Sequence, residues 1–368
     1  MKILHDIERS LLTKKDNTYF EYALLDNYTT IQNLQERLDE LYQTPWCDPA
    51  YLNIQDSSFS GDSCFKLFLY ENEILKHIIL FQKKGERYVL VQNHCFKITL
   101  QEIEIIRDIF FSEYRNVRKI KFPFLFLDQV EKRPRMILFQ LQTDMIIELP
   151  ESMDIYMKML GQKTRKRIKD CQKSIEKDYP DFNVSFHEGE DISREQIFKI
   201  VELNRDRMVS KGKTCLNDNT ICENIFRYAR SKGGLCICTV NKNVIGGTIN
   251  YVLGEHAYLY IIAHDHAYSK YNAGFIALAC TIKYLIEKKM KYYHLLWGDG
   301  TEKGNYKSRF LGENHWLHDV IIYRNNADFF LNSIYFAVRK LIKTIKDRVD
   351  ENTTLMKIYR KIRNLFKK

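Results

Sequence analysis

Residues 246–312 constrain this chain most. The pair Gly246-Gly247 opens two β-like runs, Val244 to Leu253 and Ala257 to Ala263. A helical pattern over 275–288 follows, and then a third strand-like run over 292–297. Between the second strand and the helix stands His264-Asp265-His266-Ala267-Tyr268-Ser269-Lys270-Tyr271-Asn272-Ala273-Gly274. After the last strand come Gly298-Asp299-Gly300 and Tyr306-Lys307-Ser308-Arg309-Phe310. This succession predicts a mixed α/β sheet with helices packed on it. In such sheets functional groups gather beyond the carboxyl ends of strands, which points to 264–274 and 298–310.

A chain of 368 residues is long enough for two domains of ordinary size. Its residues are 45% hydrophobic and 28% charged, with 23 Tyr and 22 Phe, a composition that builds packed cores. No uncharged apolar run approaches the ~18–20 residues of a membrane span. The start, Met1-Lys2-Ile3-Leu4-His5-Asp6, turns charged before the apolar region of a signal peptide can form. The nine cysteines include no CxxC pair, and no four ligands recur at zinc spacing. Buried free thiols in a reducing cytoplasm, and no metal, are therefore expected. The net charge of +10 is concentrated at one end. Residues 333–368 carry 11 Lys/Arg against Asp347, Asp350 and Glu351, which leaves only +2 on the remaining 332. Charge gives no reason to expect DNA binding by the body.

Along the chain, 1–20 reads as a charged leader, helical in part, and Tyr28 to Tyr42 has helical spacing. Strands are predicted over 64–70, 76–82 and 87–92, the last two joined by the turn Lys83-Lys84-Gly85-Glu86. Thr99 and Glu102 form a capping box for a helix reaching Phe111. Further strands are read at 117–122, 135–141 and 145–149, and Ser152 caps a long basic helix to about Asp178. A strand near 182–186 and helices over 193–209 and 218–230 follow; Gly233-Gly234 then breaks the chain before the strand 235–240.

The order of strands, Asn272-Ala273-Gly274, helix, strand, Asp299 and Tyr306-Lys307 resembles the catalytic half of a GNAT-type acyltransferase. Within that superfamily it resembles the branch that includes Fem-type peptidoglycan bridge enzymes and acetyltransferases associated with cellulose and capsule synthesis. The motifs cover 144–324; residues 21–143 are similar in layout alone. The resemblance implies an α/β fold of tandem GNAT-like domains, mixed and mostly antiparallel sheets flanked by helices, the first degenerate. It divides the chain into a leader (1–20), a degenerate GNAT-like domain (21–143), a catalytic one (144–330) and a basic amphipathic helical tail (331–368). Two features depart from the family: Ala273-Gly274 stands where it has Pro-Gly, and the two-glycine loop of single-domain GNAT enzymes is absent.

The chemistry needs a seat for a pyrophosphate, a base for an amine and an acid for a leaving thiolate. A helix N-terminus favours an anion, so Tyr271, Asn272, Gly274 and Phe275 are the candidate donor-binding residues. Gly274 serves equally as a helix-packing glycine. The resemblance gives Asp299 the role of orienting or deprotonating the acceptor amine, and an N-cap is its bland alternative. It gives Tyr306 the proton for the thiolate and Lys307 the offset of charge on donor or intermediate; a core ring beside a solvated charge is the plainer reading. Arg165 and Lys169, four apart on the basic helix, point one way and suit an anionic group, or form a solvated face. Asp265 shapes the turn at the substrate end, and Trp297 and Arg309 complete the expected substrate contacts. His264, Asp265 and His266 are too few for a metal site.

The expected function is N-acyl transfer from acetyl-CoA, or another acyl-CoA, to a small-molecule or lipid- or nucleotide-linked amine of a cell-surface polymer precursor. One alternative is an aminoacyl-tRNA-dependent Fem-type transferase, against which the short helices of 193–232 argue. The other is a non-catalytic peripheral membrane protein of an envelope or stress-resistance system. Apolar stripes over 334–349 and 355–366, with Lys and Arg opposite, predict amphipathic helices, the second suited to an anionic membrane surface on the cytoplasmic side.

Overall fold

The structure, a computed structural model, describes residues 8–15, 18–55, 64–210, 212, 219–297 and 306–334. The amphipathic stripes of 355–366 and most of 334–349 lie outside these residues, as does Asp299. The first half contributes β1 (Ser10–Lys15), β2 (Thr18–Leu25), α1 (Leu34–Tyr42), α2 (Pro49–Gln55), β3 (Phe65–Glu71), β4 (Ile74–Lys84), β5 (Tyr88–Val91), β6 (Lys97–Ile98), α3 (Leu100–Glu113), β7 (Lys119–Leu127) and β8 (Met136–Glu148). The second contributes α4 (Met153–Met159), α5 (Gln162–Asp178), β9 (Asn183–Glu188), α6 (Arg194–Ser210), α7 (Asn219–Lys232), β10 (Gly233–Val240), β11 (Asn243–Leu253), β12 (His256–His264), α8 (Ala273–Glu287), β13 (Tyr292–His294) and β14 (Glu313–Tyr323).

All these strands join one mixed, mostly antiparallel sheet in the order β1-β2-β3-β4-β5-β7-β14-β8-β13-β12-β11-β10-β9, with β6 beside β7. Helices flank it. Each half contains one parallel crossover: α3 carries the chain from β5 to β7, and α8 from β12 to β13. The last strand of each half is exchanged. β8 leaves β7 to pair with β13, Tyr293 opposite Ile147. β14 leaves β13 to pair with β7, Ile322 opposite Ile120. β8 and β14 lie side by side at the centre, so the division at 143/144 falls inside β8.

Cores form where apolar faces meet this sheet. Ile103, Ile106, Ile109 and Phe110 of α3 are fully buried against Phe81, Val89 and Ile120. In the second half α6 and α7 cover one face and α8, with α4 and α5, the other. Trp46, Tyr51 and Ile54 of the first half join the α6–α7 core. There Tyr258 Oη donates to Gln43 O at 2.9 Å, and Lys232 Nζ bridges Asp39 at 2.6 Å and buried Asp48 at 2.9 Å. Each large side chain buried there contributes about 1.5–3 kcal/mol, so the halves are bound firmly to each other.

Several sequence expectations are corrected. Within the leader read as helical in part, the described residues from Ser10 on belong instead to the β1–β2 hairpin; the aromatic and aliphatic residues Phe20, Tyr22 and Leu24 face a core that a helix would not meet. The 152–178 helix is two: Ser152 Oγ caps α4, but Leu160 and Gly161 turn extended before α5 begins. The runs 135–141 and 145–149 are one strand, β8. Gly233-Gly234 lie inside β10 rather than breaking the chain. The strand expected over 292–297 stops at His294, and Lys307 sits in a 3₁₀ turn, Tyr306–Phe310, rather than opening a helix. The Thr99–Glu102 capping box is present as read.

Candidate active site

The sheet opens at the carboxyl end of β12. Parallel pairing with β13 covers only His256↔Tyr292, Ala257↔Tyr293 and Tyr258↔His294. Beyond it, residues 259–264 pair among the described strands with β11 alone. Gly247 permits the close packing of β11 at this place: a Cβ there would lie 2.2 Å from Cys236 O. The N-terminus of α8 meets the opening. A Cβ on Gly274 would meet His264 Nδ1 at 3.4 Å and Ile262 at 3.5 Å, ordinary van der Waals contact, so α8 starts close against β12.

Two features make this helix end attractive to an anion. Asn272, at φ 53, is the N-cap residue but its side chain makes no capping hydrogen bond, which leaves first-turn N–H groups without a side-chain acceptor. Arg167, exposed on α5, donates from Nη2 to Asn272 Oδ1 at 3.2 Å, with its guanidinium 5.3 Å from the centre of the Phe275 ring. Phe275 packs on Phe310, ring centres 4.6 Å apart, which ties the helix to the turn holding Lys307. Tyr271 is buried, and its hydroxyl donates to Asp178 at 2.5 Å, so it fastens α5 instead of facing the opening.

Lys307 is half-buried at the end of β13. Its Nζ donates to the carbonyls of Leu295 at 2.7 Å, Leu296, and Trp297 at 3.3 Å. These carbonyls belong to a hook in which Leu296 takes φ 55, a conformation costing a non-glycine residue about 1 kcal/mol. The hook is also held from its amide side. Leu295 N donates to Met145 O at 2.7 Å and Leu296 N to Asp144 Oδ1 at 3.1 Å. Buried Asp144 accepts at Oδ2 from His294 Nδ1, 2.6 Å away. The other ring nitrogen, His294 Nε2, lies 2.9 Å from His256 Nδ1 and shares a hydrogen bond with it. Burial, and then His294, push His256 down to about 4, so it is neutral at physiological pH. Burial pushes Lys307 down to about 8; Asp144 opposes that and Arg207 adds to it.

The sequence candidates fall into three groups. Asn272, Gly274, Phe275 and Lys307 converge on the opening. Arg165 turns away, donating from Nη1 to Met157 O at 3.1 Å and Lys158 O at 3.0 Å and so closing α4; Lys169 and Arg309 are exposed. Asp265 caps the 3₁₀ turn after β12 by accepting from Ala267 N at 2.9 Å, and Trp297, 40% exposed, packs on Trp46 and Phe124. Asp299 lies outside the described residues, and of Tyr306 only its place in the 3₁₀ turn is described. Sequence reasoning missed Asp144, His294 and His256 and chose Arg165 over Arg167. An acid among apolar residues, Thr143-Asp144-Met145-Ile146, was the available signal for Asp144. Among the described residues no His/Cys/Asp/Glu cluster could hold a metal, and the cysteines are free.

Residues 162–308 match the family model described as an acetyltransferase (GNAT) domain. A search of curated proteins finds no match to the sequence. Among solved structures, FemX is similar with a TM-score of 0.58 at 12% identity, covering 82% of this chain and 98% of FemX. A protein of unknown function from Bacteroides thetaiotaomicron VPI-5482 is similar at 0.51 and 13% identity, covering 79% of this chain and 96% of that one. Both likenesses are of fold. Residues 162–308, the stretch that matches this acetyltransferase (GNAT) domain model, thus lie in the second half of one continuous sheet.

Proposed function

We propose that this protein is an N-acyltransferase moving an acyl group, acetyl in the simplest case, from coenzyme A to an amine. The acceptor of this proposal is a precursor of a cell-surface polysaccharide or envelope polymer, an amino sugar or a nucleotide- or lipid-linked unit. The observation that carries the reading is the opening beside β12, with the uncapped α8 and Arg167 at its mouth.

An acyl-coenzyme A fits what these residues offer. Arg167 and the α8 amides suit a pyrophosphate, and the strand edge of 259–264 suits the amides of an extended arm. When bound, the thioester supplies the activated acyl group. Lys307, protonated below about 8, holds positive charge near the point where a carbonyl oxygen gains negative charge. Asp299 takes the proton of the acceptor amine and Tyr306 returns one to the departing sulfur. Attack is direct. Burial pushes the thiols of Cys47, Cys95, Cys236, Cys238 and Cys280 up, and that of Cys64 to about 12, so these are poor nucleophiles.

Coenzyme A is favoured over charged tRNA because α6 and α7, where Fem-type enzymes place a long helical arm, are short and packed on the sheet. We take residues 21–143 as a copy without a donor site. Anchoring of 355–368 on an anionic membrane surface belongs to the same proposal; among the described residues no helix is long and apolar enough to cross a membrane. Thiol release from acetyl-CoA, followed across amino-sugar acceptors, tests the reaction. Acceptor-dependent release that falls by about 10²-fold or more in Lys307→Met is expected. Equal release by that variant would remove Lys307 from the reaction.

A further inference from the structure

The buried polar chain at the junction of the halves has no part in seating donor or acceptor. We propose that Asp144, delivered to the second half by the exchanged strand β8, is a positioning residue for Lys307. It grips the Leu295–Trp297 hook from the amide side while Lys307 grips the carbonyl side, and it is the counter-charge to that ammonium. The proposal rests on the acyl-transfer reading only for the task Lys307 performs; the clamp stands on geometry.

Three observations support it. Asp144 is 2% exposed and its carboxylate is divided between two donors, Leu296 N at 3.1 Å and His294 Nδ1 at 2.6 Å. Both oxygens of the buried carboxylate are thus engaged, which fixes its orientation. The residue whose amide it takes, Leu296, is the one in the left-handed region, so the bond acts where the hook is least stable by itself. Lys307 holds the carbonyls of the same three residues. The hook is therefore gripped from both sides by these two side chains, and it precedes the segment that contains Asp299.

The groups facing this pair are Arg207 on α6, His294 on β13, His256 and Tyr258 on β12, and Cys95 before β6. Of these described groups, Arg207 acts against the charged lysine and Asp144 acts for it.

The test reads Lys307 directly. The full chain is trace-labelled with isotopic acetic anhydride from pH 6 to 10, and mass spectrometry follows the peptide carrying Lys307 in wild type, Asp144→Asn, Asp144→Ser and Asp144→Glu. Asn and Ser both keep an acceptor for Leu296 N while removing the charge, so failure of one to fold leaves the other. Expected is a midpoint lowered by about one pH unit in the neutral variants, seen as roughly tenfold faster labelling at pH 7. The Glu variant should return the midpoint towards wild type. Unchanged midpoints in Asn and Ser overturn the proposal, whatever happens to activity. Labelling needs no turnover, so a protein that proves inactive on every acceptor leaves this result standing. Where turnover is measured, the alkaline limb of kcat should move with the same midpoint.

Discussion

Helices α3 and α8 occupy the same place in the two halves, each joining a strand to its parallel neighbour, but their first turns are opposite in character. At α3, Thr99 Oγ1 accepts from Glu102 N at 3.1 Å, and the Glu102 carboxylate returns to Thr99 N at 2.8 Å. That carboxylate also meets His77 at 3.2 Å. The end is already occupied by an anion of its own. Beside it, β6 pairs with β7 and fills the space after β5 ends. At α8 the N-cap side chain makes no cap, the cation Arg167 donates to that side chain, and no strand among those described fills the space after Tyr258↔His294. One fold element thus serves as a closed structural end in the first half and, in the function we propose, as an open anion seat in the second. The acid or base standing at the first turn decides which.

The largest effect should come from reversing the charge at the open end. Arg167→Glu is expected to weaken acetyl-CoA binding by about 30- to 100-fold, since a charge-assisted contact is replaced by repulsion. The melting temperature should hold, because Arg167 is exposed. Near-native affinity measured by calorimetry would mean the donor does not use this end. Phe275→Ala sharpens the point differently: it removes the ring between Arg167 and Phe310 and should cost about 3 kcal/mol in denaturant unfolding together with a loss of binding.

The closed end should answer to pH where the open end does not. Burial would raise Glu102, but the hydrogen bonds from His77 and Thr99 outweigh it and hold the carboxyl at about 2 against an ordinary 4.5. Its contribution is therefore complete above about 4.5 and is lost as pH falls towards 2. Thermal melts of wild type and Glu102→Gln should differ at pH 6 and converge as pH falls through this window. Smallest is Thr99→Ala, expected to cost about 1 kcal/mol of stability and leave donor binding unchanged. A binding loss there would erase the contrast between the two ends.

What the sequence disclosed follows the range of the interaction. The Thr99–Glu102 box is a contact three residues apart, and it was legible; so were α8 and the strands around it, whose periodicity is local. The exchange of β8 and β14 was not, because pairing such as Ile146 with Glu313 or Ile120 with Ile322 depends on segments more than 150 residues apart, for which periodicity carries no information. The choice between Arg165 and Arg167 turned on where α5 starts. Once Leu160 and Gly161 interrupt the helix, Arg165 is spent on the free carbonyls of α4 and Arg167 comes to Asn272. Lys307 was singled out through a resemblance, while Asp144 was hidden in what reads as an ordinary buried strand. Tertiary exchange alone brings the two together.

The most direct test of the contrast is the stoichiometry of acetyl-CoA binding by titration calorimetry, on wild type, Arg167→Glu and Thr99→Ala. The account predicts one molecule per chain, lost or strongly weakened in Arg167→Glu and retained in Thr99→Ala. Two molecules per chain, or a single site that survives Arg167→Glu and disappears in Thr99→Ala, would contradict it.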